Sequence, residues 1–250
     1  MHADKIILVT GASRGIGAAT AVLAGERGYA VCVNYRQDKA AADAVVKTIT
    51  DAGGRAIAIA ADVSEEADVV RLFETVDDEL GAITALVNNA GILEKQARLV
   101  DMDADRWNRI LKINVTGCFL CAREAVRRMS TRSGGNGGAI VNVSSGAARL
   151  GAPGEYIDYA ASKGAVDTLT VGLAKEVAEE GIRVNAVRPG FIYTDIHASG
   201  GEPGRVERVK EFVPMKRGGQ PQEVAAAILW LLSEESSYST GTFIDITGGK

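Results

Sequence analysis

Proline, cysteine and histidine are all scarce in this chain of 250 residues. The five prolines fall at or after Pro153, leaving the first half of the chain without any. Three cysteines, Cys32, Cys118 and Cys121, make an odd set. Cys118 and Cys121 lack the second pair or nearby histidine that would complete a metal site, so none is expected. All three read as buried free thiols of a reducing cytoplasm. The two histidines, His2 and His197, offer neither a metal cluster nor a catalytic triad, and His197 reads as a surface residue. Long apolar runs are also missing. A run such as Ala225–Leu232 falls far short of the ~20 residues needed to span a bilayer, and residues 1–5 show no secretory-signal pattern. A net charge of −4 provides no basic excess for nucleic acid. With 46% hydrophobic and 24% charged residues, the composition is that of a folded globular chain rather than a disordered one.

Glycine is abundant, at 29 residues, but has no G-X-Y period, which excludes collagen. Apolar β-rich runs alternate with longer helical patterns. Strands are expected at 5–10, 30–35, 55–61, 85–88, 138–144, 183–188 and 242–246. Helices are expected at 16–28, 39–52, 64–80 (capped by Ser64), 103–130, 157–180 and 223–232. This alternation implies right-handed βαβ crossovers. The fold class is therefore α/β: a single doubly wound Rossmann-type domain, 1–250, with a seven-stranded parallel sheet and helices on both faces. The irregular stretch 191–220 reads as a mobile substrate lid.

The run Thr10-Gly11-Ala12-Ser13-Arg14-Gly15-Ile16-Gly17 follows the first strand and opens the first helix. Its spacing is G-x-x-x-G-x-G, a weak pattern alone but informative in the first βα turn. There glycines admit a pyrophosphate and a helix N-terminus favours its charge. The second strand ends Asn34-Tyr35-Arg36. A carboxylate near this point would hold ribose hydroxyls and repel a 2′-phosphate, whereas Arg36 and Arg14 would attract one. NADP(H) is therefore expected over NAD(H). Asp62-Val63 and Asn88-Asn89-Ala90-Gly91 lie at further strand ends, where ligands bind in open parallel sheets.

Tyr159 and Lys163 are four residues apart on an expected helix and share one face. Ser145 follows the fifth strand, and Asn114 lies mid-helix, where a buried side chain needs a partner. Thr10–Gly17, Asp62, Asn88–Gly91, Asn114, Ser145, Tyr159–Lys163, Pro189-Gly190 and Thr194 occur together in order. In this conjunction the chain resembles the short-chain dehydrogenase/reductase family along essentially its whole length. The resemblance implies that Tyr159 is the general acid and base. Lys163 would lower its pKa and bind the nicotinamide ribose. Ser145 would hold the substrate oxygen, and Asn114 a relay water. It further implies that Gly11, Ser13, Arg14, Gly15, Ile16, Gly17, Asn34, Tyr35, Arg36, Asp62, Val63, Asn89, Ala90, Gly91, Pro189, Gly190, Ile192 and Thr194 bind the cofactor. The interval from Ser145 to Tyr159 is one position longer than is common in the family, so residues 149–155 read as carrying an insertion, and Ser144 remains an alternative to Ser145.

The substrate wall is expected from residues 92–98, 146–157 and 191–220, which carry Arg149, Leu150, Tyr156, Ile192, Tyr193, His197 and Phe212. A small carbonyl or alcohol is the preferred substrate. A 3-oxoacyl-[acyl-carrier-protein] reductase is the alternative, although Glu179-Glu180 would repel an acidic carrier. A non-catalytic NADP(H) sensor is less favoured because all four catalytic-type residues are present. The resemblance also implies a homotetramer.

Overall fold

The computed structural model describes residues 5–250, so the readings made on residues 1–4, His2 included, lie outside it. Its strands are β1 (Ile6–Val9), β2 (Ala30–Tyr35), β3 (Arg55–Ala60), β4 (Ala85–Asn88), β5 (Gly138–Val143), β6 (Ile182–Pro189) and β7 (Phe243–Ile246). They form one sheet in the order β3-β2-β1-β4-β5-β6-β7, and every pair is parallel. The α/β, doubly wound expectation is met. The winding reverses between β1 and β4, which opens a crevice at their C-terminal ends.

The larger helices are α1 (Gly15–Glu26), α2 (Lys39–Asp51), α3 (Glu66–Glu79), α4 (Ala104–Leu111), α5 (Gly117–Met129), α7 (Ile157–Glu176) and α10 (Pro221–Leu232). Three short ones are α6 (Ala147–Leu150), α8 (Ile196–Ser199) and α9 (Arg205–Val209). Successive strand residues point to opposite faces. Ile7 and Val9 join Val33, Val87 and Val141 beneath α1, α2 and α10. Ile6 and Leu8 join Cys32, Leu86 and Ile140 beneath α3, α5 and α7. The three cysteines are free and buried. Burial pushes each thiol up, that of Cys118 to about 12. Among the described residues no helix is long and apolar enough to cross a membrane.

Three expectations about elements need correction. Ser64 does not cap the third helix. Its hydroxyl donates to Asp62 Oδ1 at 2.7 Å, and Glu65 occupies the N-cap position without a side-chain bond. The expected helix 103–130 is interrupted by a π-helical turn at Lys112–Thr116, centred on Asn114. Such turns place one extra residue on the helix and occur where a side chain must be re-aimed. Finally, the stretch 191–220 is not wholly irregular. It contains α8 and α9, and a parallel bridge between Ile192 and Gly219 ties its ends together.

Polar side chains also link the layers. Asn142 is fully buried on β5. Its Nδ2 donates to Thr170 Oγ1 on α7 at 2.9 Å, and its Oδ1 accepts from Asn88 Nδ2 on β4 at 2.9 Å. Buried polar groups that lose a partner retain their desolvation cost. Asn142→Ala is expected to lower the unfolding free energy by about 2–3 kcal/mol. A urea-unfolding midpoint unchanged from that of the parent protein would show that this ladder contributes nothing.

Candidate active site

A cleft of about 990 Å³ lies over the crevice between β1 and β4 and continues past the ends of β5 and β6. Its nucleotide-side wall begins with the Gly-rich turn. Gly11 and Gly15 adopt φ of +59° and +58°, which disfavour a side chain. A Cβ at Gly11 would also come within 2.9 Å of Ala90 Cα. Gly17 lies beneath the turn rather than on the cleft wall. A Cβ there would come within 2.5 Å of Asn89 Nδ2 and 2.6 Å of the Gly11 carbonyl. It allows close helix-to-turn packing.

The turn is fixed by side chains. Asn89 Nδ2 donates to the carbonyls of Thr10 (2.8 Å) and Gly11 (3.0 Å). Thr10 Oγ1 accepts from the backbone N–H groups of Asn89 and Ala90, both at 3.0 Å. Asn34 Oδ1 accepts from Gly11 N at 3.2 Å, while its amide donates to the carbonyls of Tyr35, Ile59 and Ala61. Asn34 and Asn89 thus use their amides on the backbone. Thr10 was not singled out as a site residue, although its position inside the motif was a signal. The cleft continues past Ser13, Arg14, Ile16, Tyr35, Arg36, Asp62, Val63, Ala90 and Gly91. Arg36 Nη1 stands 3.7 Å from Asp62 Oδ2, with half of its side chain exposed.

At the other end, the cleft wall includes Ser144, Ser145, Tyr159, Lys163, Pro189, Gly190, Ile192 and Thr194. The first turn of α7 is anchored by a buried ion pair. Arg106 Nε donates to Asp158 Oδ2 at 2.7 Å, and Asp158 Oδ1 accepts from Tyr159 N at 2.9 Å. The carboxylate therefore satisfies an N-terminal N–H of the helix beside Tyr159. Lys163 Nζ donates to the Val143 carbonyl at 2.7 Å and lies 5.6 Å from the centre of the Tyr159 ring. Ser144 Oγ donates to the Lys163 carbonyl at 3.3 Å. Ser145 Oγ accepts from Ala147 N at 3.1 Å, and its hydroxyl acts on the Tyr159 phenol.

Burial holds the Tyr159 phenol above its ordinary pKa, against a downward pull from Ser145. Burial also pushes Lys163 down to about 8, against weaker upward pulls from Cys118 and Asp167. The lysine is held at the end of β5 and is itself desolvated.

Asn114 does not reach the cleft wall. It is buried in the π turn, where Oδ1 accepts from Ile92 N at 2.8 Å. Its Nδ2 donates to the Ile92 carbonyl and to Ser162 Oγ, both at 3.1 Å. It binds the chain after β4 to α7 through its side-chain amide.

On the substrate side, Leu150, Tyr156, Ile192 and His197 line the cleft. Arg149, Tyr193 and Phe212 do not. Arg149 pairs with Asp245, Tyr193 Oη donates to Glu207 at 2.7 Å, and Phe212 is exposed. His197 is buried rather than a surface residue, with Nε2 at 3.0 Å from the Ile192 carbonyl. Arg205, which the sequence did not mark, is also buried and lines the cleft. The extra length before Tyr159 forms a tight loop with positive φ at Gly151, Ala152 and Gly154.

Comparison with known proteins agrees with this geometry. The family model described as enoyl-(acyl carrier protein) reductase matches residues 11–250. An uncharacterized oxidoreductase, YgfF, of Escherichia coli strain K12 is 62% identical over 98% of this chain and 99% of its own. A 3-oxoacyl-[acyl-carrier-protein] reductase of Synechocystis is 41% identical, covering 98% of this chain and 96% of its own. Glucose 1-dehydrogenase 2 of Bacillus subtilis is 38% identical, with 98% and 94% covered. The crystal structure of a short-chain type dehydrogenase/reductase from Mycobacterium marinum superposes with a TM-score of 0.92 at 37% identity, covering 98% of this chain and 94% of that one. The chain belongs to the short-chain dehydrogenase/reductase family, oxidoreductases that act on CH–OH or carbonyl groups.

Proposed function

We propose that this protein transfers a hydride between NADP(H) and a small carbonyl or alcohol substrate. The observation that carries the reading is one cleft with Ser145, Tyr159 and Lys163 at one end and the Gly-rich turn with Arg14 and Arg36 at the other. The cradle suits a dinucleotide: residues without side chains line the cleft at Gly11, in the turn, and at Gly15, the first residue of α1. When bound, the nicotinamide supplies or accepts the hydride. The protein's own groups position the carbonyl and move the proton. Ser145 hydrogen-bonds the substrate oxygen. Tyr159, kept protonated by burial, donates its proton to that oxygen in reduction, and in oxidation its phenolate accepts the hydroxyl proton. Lys163 provides charge next to the phenolate that results and a donor for the nicotinamide ribose. Ser145 is favoured over Ser144 because the Ser144 hydroxyl is committed to the α7 backbone. Asn114 acts by holding Ile92 and Ser162 in place.

NADP(H) is favoured because Arg36 lines the cleft with half of its side chain free, and Arg14 lines the same cleft. Asp38, also on the wall, directs its carboxylate to Ala41 N at 3.0 Å as a helix cap. The acyl-carrier reading is less well supported. Glu179 and Glu180 share one guanidinium, Arg132, so that surface stays net negative. The segment 191–220 serves as the substrate lid of a one-domain enzyme. Exposed Phe119 on α5 and Val171 on α7 fit the helix pairing of a homotetramer. The three buried thiols suit a reducing cytoplasm.

Tyr159→Phe is expected to reduce kcat for NADPH-dependent ketone reduction by about 10²–10⁴-fold, the usual worth of general acid catalysis. Turnover that survives this change defeats the mechanism. Lys163 is charged below about pH 8 and neutral above it. The rate of reduction should therefore be level up to about pH 8 and fall beyond, whereas a flat profile to strongly alkaline pH would show that the ammonium is not needed. A charge-assisted contact to a 2′-phosphate is worth about 1.5–3 kcal/mol. Arg36→Asp should accordingly lower the NADPH-to-NADH ratio of kcat/KM at least about tenfold. An unchanged ratio would remove Arg36 from the 2′-phosphate site.

A further inference from the structure

Segments 92–98, 146–157 and 191–220 all contribute to the substrate end of the cleft. One cluster of side chains joins the three. Glu155, in the loop before α7, bonds both Arg205 and Arg208 of α9, the latter at 3.4 Å. Glu202, just ahead of α9, bonds the same two arginines, Arg205 at 3.2 Å. Gln96, from the first segment, donates through Nε2 to Glu202 Oε2 at 2.7 Å. The backbone follows the same path, since Ala97 N donates to the Glu155 carbonyl at 3.1 Å. Arg205 is only 7% exposed, so its charge depends on these partners. Its guanidinium lies 4.7 Å from the centre of the Tyr156 ring, at the N-cap of α7, and 5.5 Å from that of Phe191, where the third segment begins.

Backbone geometry aims Glu155 at α9. Ala152 adopts φ of +44°, a left-handed conformation that is costly for a residue with a Cβ. Its carbonyl accepts from Glu155 N at 3.2 Å and from Tyr156 N at 3.1 Å, which closes the turn immediately before α7. Such a conformation persists where surrounding contacts hold it. α9 in turn needs outside support, because five residues are too few for a helix that stands alone. Val206 and Val209 are buried, while Arg205 and Arg208 share a face and both reach Glu155. Loss of the Glu155 charge would leave Arg205 buried with Glu202 as its remaining carboxylate.

We propose that Glu155 is a positioning residue for the carbonyl substrate: through Arg205 and Arg208 it fastens the lid helix α9 to the start of α7, just ahead of Tyr159. The inference rests on the reading of 191–220 as the lid of a hydride-transfer cleft. Glu155, Tyr156, Phe191 and Arg205 all line that cleft, so the ion pairs set the shape of the wall that the substrate meets. The Gly-rich turn lies at the other end, and cofactor affinity does not depend on the fastening. Contacts that serve the ground state and the transition state equally are read in KM rather than in kcat.

The test combines hydrogen–deuterium exchange of the NADPH-bound protein with steady-state reduction of cyclohexanone, benzaldehyde and ethyl acetoacetate. Glu155→Gln keeps the shape of the side chain and removes its charge. Amides of residues 200–210 are expected to exchange about tenfold faster, with those of β4 and β5 unchanged. For a carbonyl that is turned over, KM should rise at least about fivefold, kcat should stay within about threefold, and the Kd of NADPH within about twofold. Arg208 is half exposed, so Arg208→Gln leaves the core intact and should act in the same direction. The two changes together should raise KM by less than the product of their separate effects, whereas the full product would show that the two residues do not act through each other. Unaltered exchange over 200–210 in both variants overturns the proposal, as does an unmoved KM. Faster exchange in sheet and lid alike also overturns it, since Glu155 is then a general stabilising residue. If the parent protein reduces no carbonyl, the hydride-transfer reading fails, and exchange alone decides whether Glu155 fastens the lid.

Discussion

The seam between β1 and β4 is where the sheet reverses its winding, and side chains close it beyond the end of the strand pairing. The strand register ends at Val9 and Val87, after which Thr10 N still reaches the Val87 carbonyl at 3.0 Å. Beyond that point the hydroxyl of Thr10 and the amide of Asn89 satisfy the backbone on both sides. Asn34 reaches in from β2 to hold Gly11. Unpaired backbone groups here would be costly, because much of the turn is buried or half-buried. The crevice can stay open as a binding site because these polar atoms are already satisfied from within. Gly17 is part of the same constraint, since any side chain there would displace Asn89 and release the turn.

Asn114 joins this seam to the chemistry. The π turn swings its amide toward the chain leaving β4, and the same side chain bonds Ser162 on α7. Ser162 in turn donates to the Tyr159 carbonyl at 2.7 Å. One buried amide therefore sets how the nucleotide half and the helix bearing Tyr159 and Lys163 meet. The Arg106–Asp158 pair fixes the start of that helix independently. A cleft wall held from two sides provides the fixed geometry that transfer between two small reactants demands.

What could be read in the sequence is what local spacing records. Strand alternation, the glycines of the first turn and the four-residue step from Tyr159 to Lys163 all depend on backbone periods of two or 3.6 residues. The exact neighbours of Asn114 could not be read this way, because a π turn shifts the phase by one residue without leaving a composition signal. Ser64 looked like a cap from its place before two glutamates, yet Asp62, two residues earlier, takes its hydroxyl. The surroundings of Lys163 were equally hidden. Spacing put the ammonium on the right face, but not how far the site is desolvated or that Val143 would be its partner.

The substrate side was least legible for the same physical reason. Arg205 has no periodic or motif context, and its partner Glu155 lies 50 residues earlier. Glu155 reaches it because the loop of positive φ at Gly151, Ala152 and Gly154 turns the chain back before α7 begins. The loop thus does more than lengthen the interval between Ser145 and Tyr159. It delivers a carboxylate that neutralises a buried arginine, and with it the Tyr156 ring. Relatives of about 40% identity carry names as different as glucose dehydrogenase and acyl-carrier reductase, with nearly the full chain aligned. The proposed division of labour accommodates that spread: the seam at β1 and β4 serves any nicotinamide reaction, and a few side chains on the loop before α7 and on the lid decide which carbonyl is held beside it.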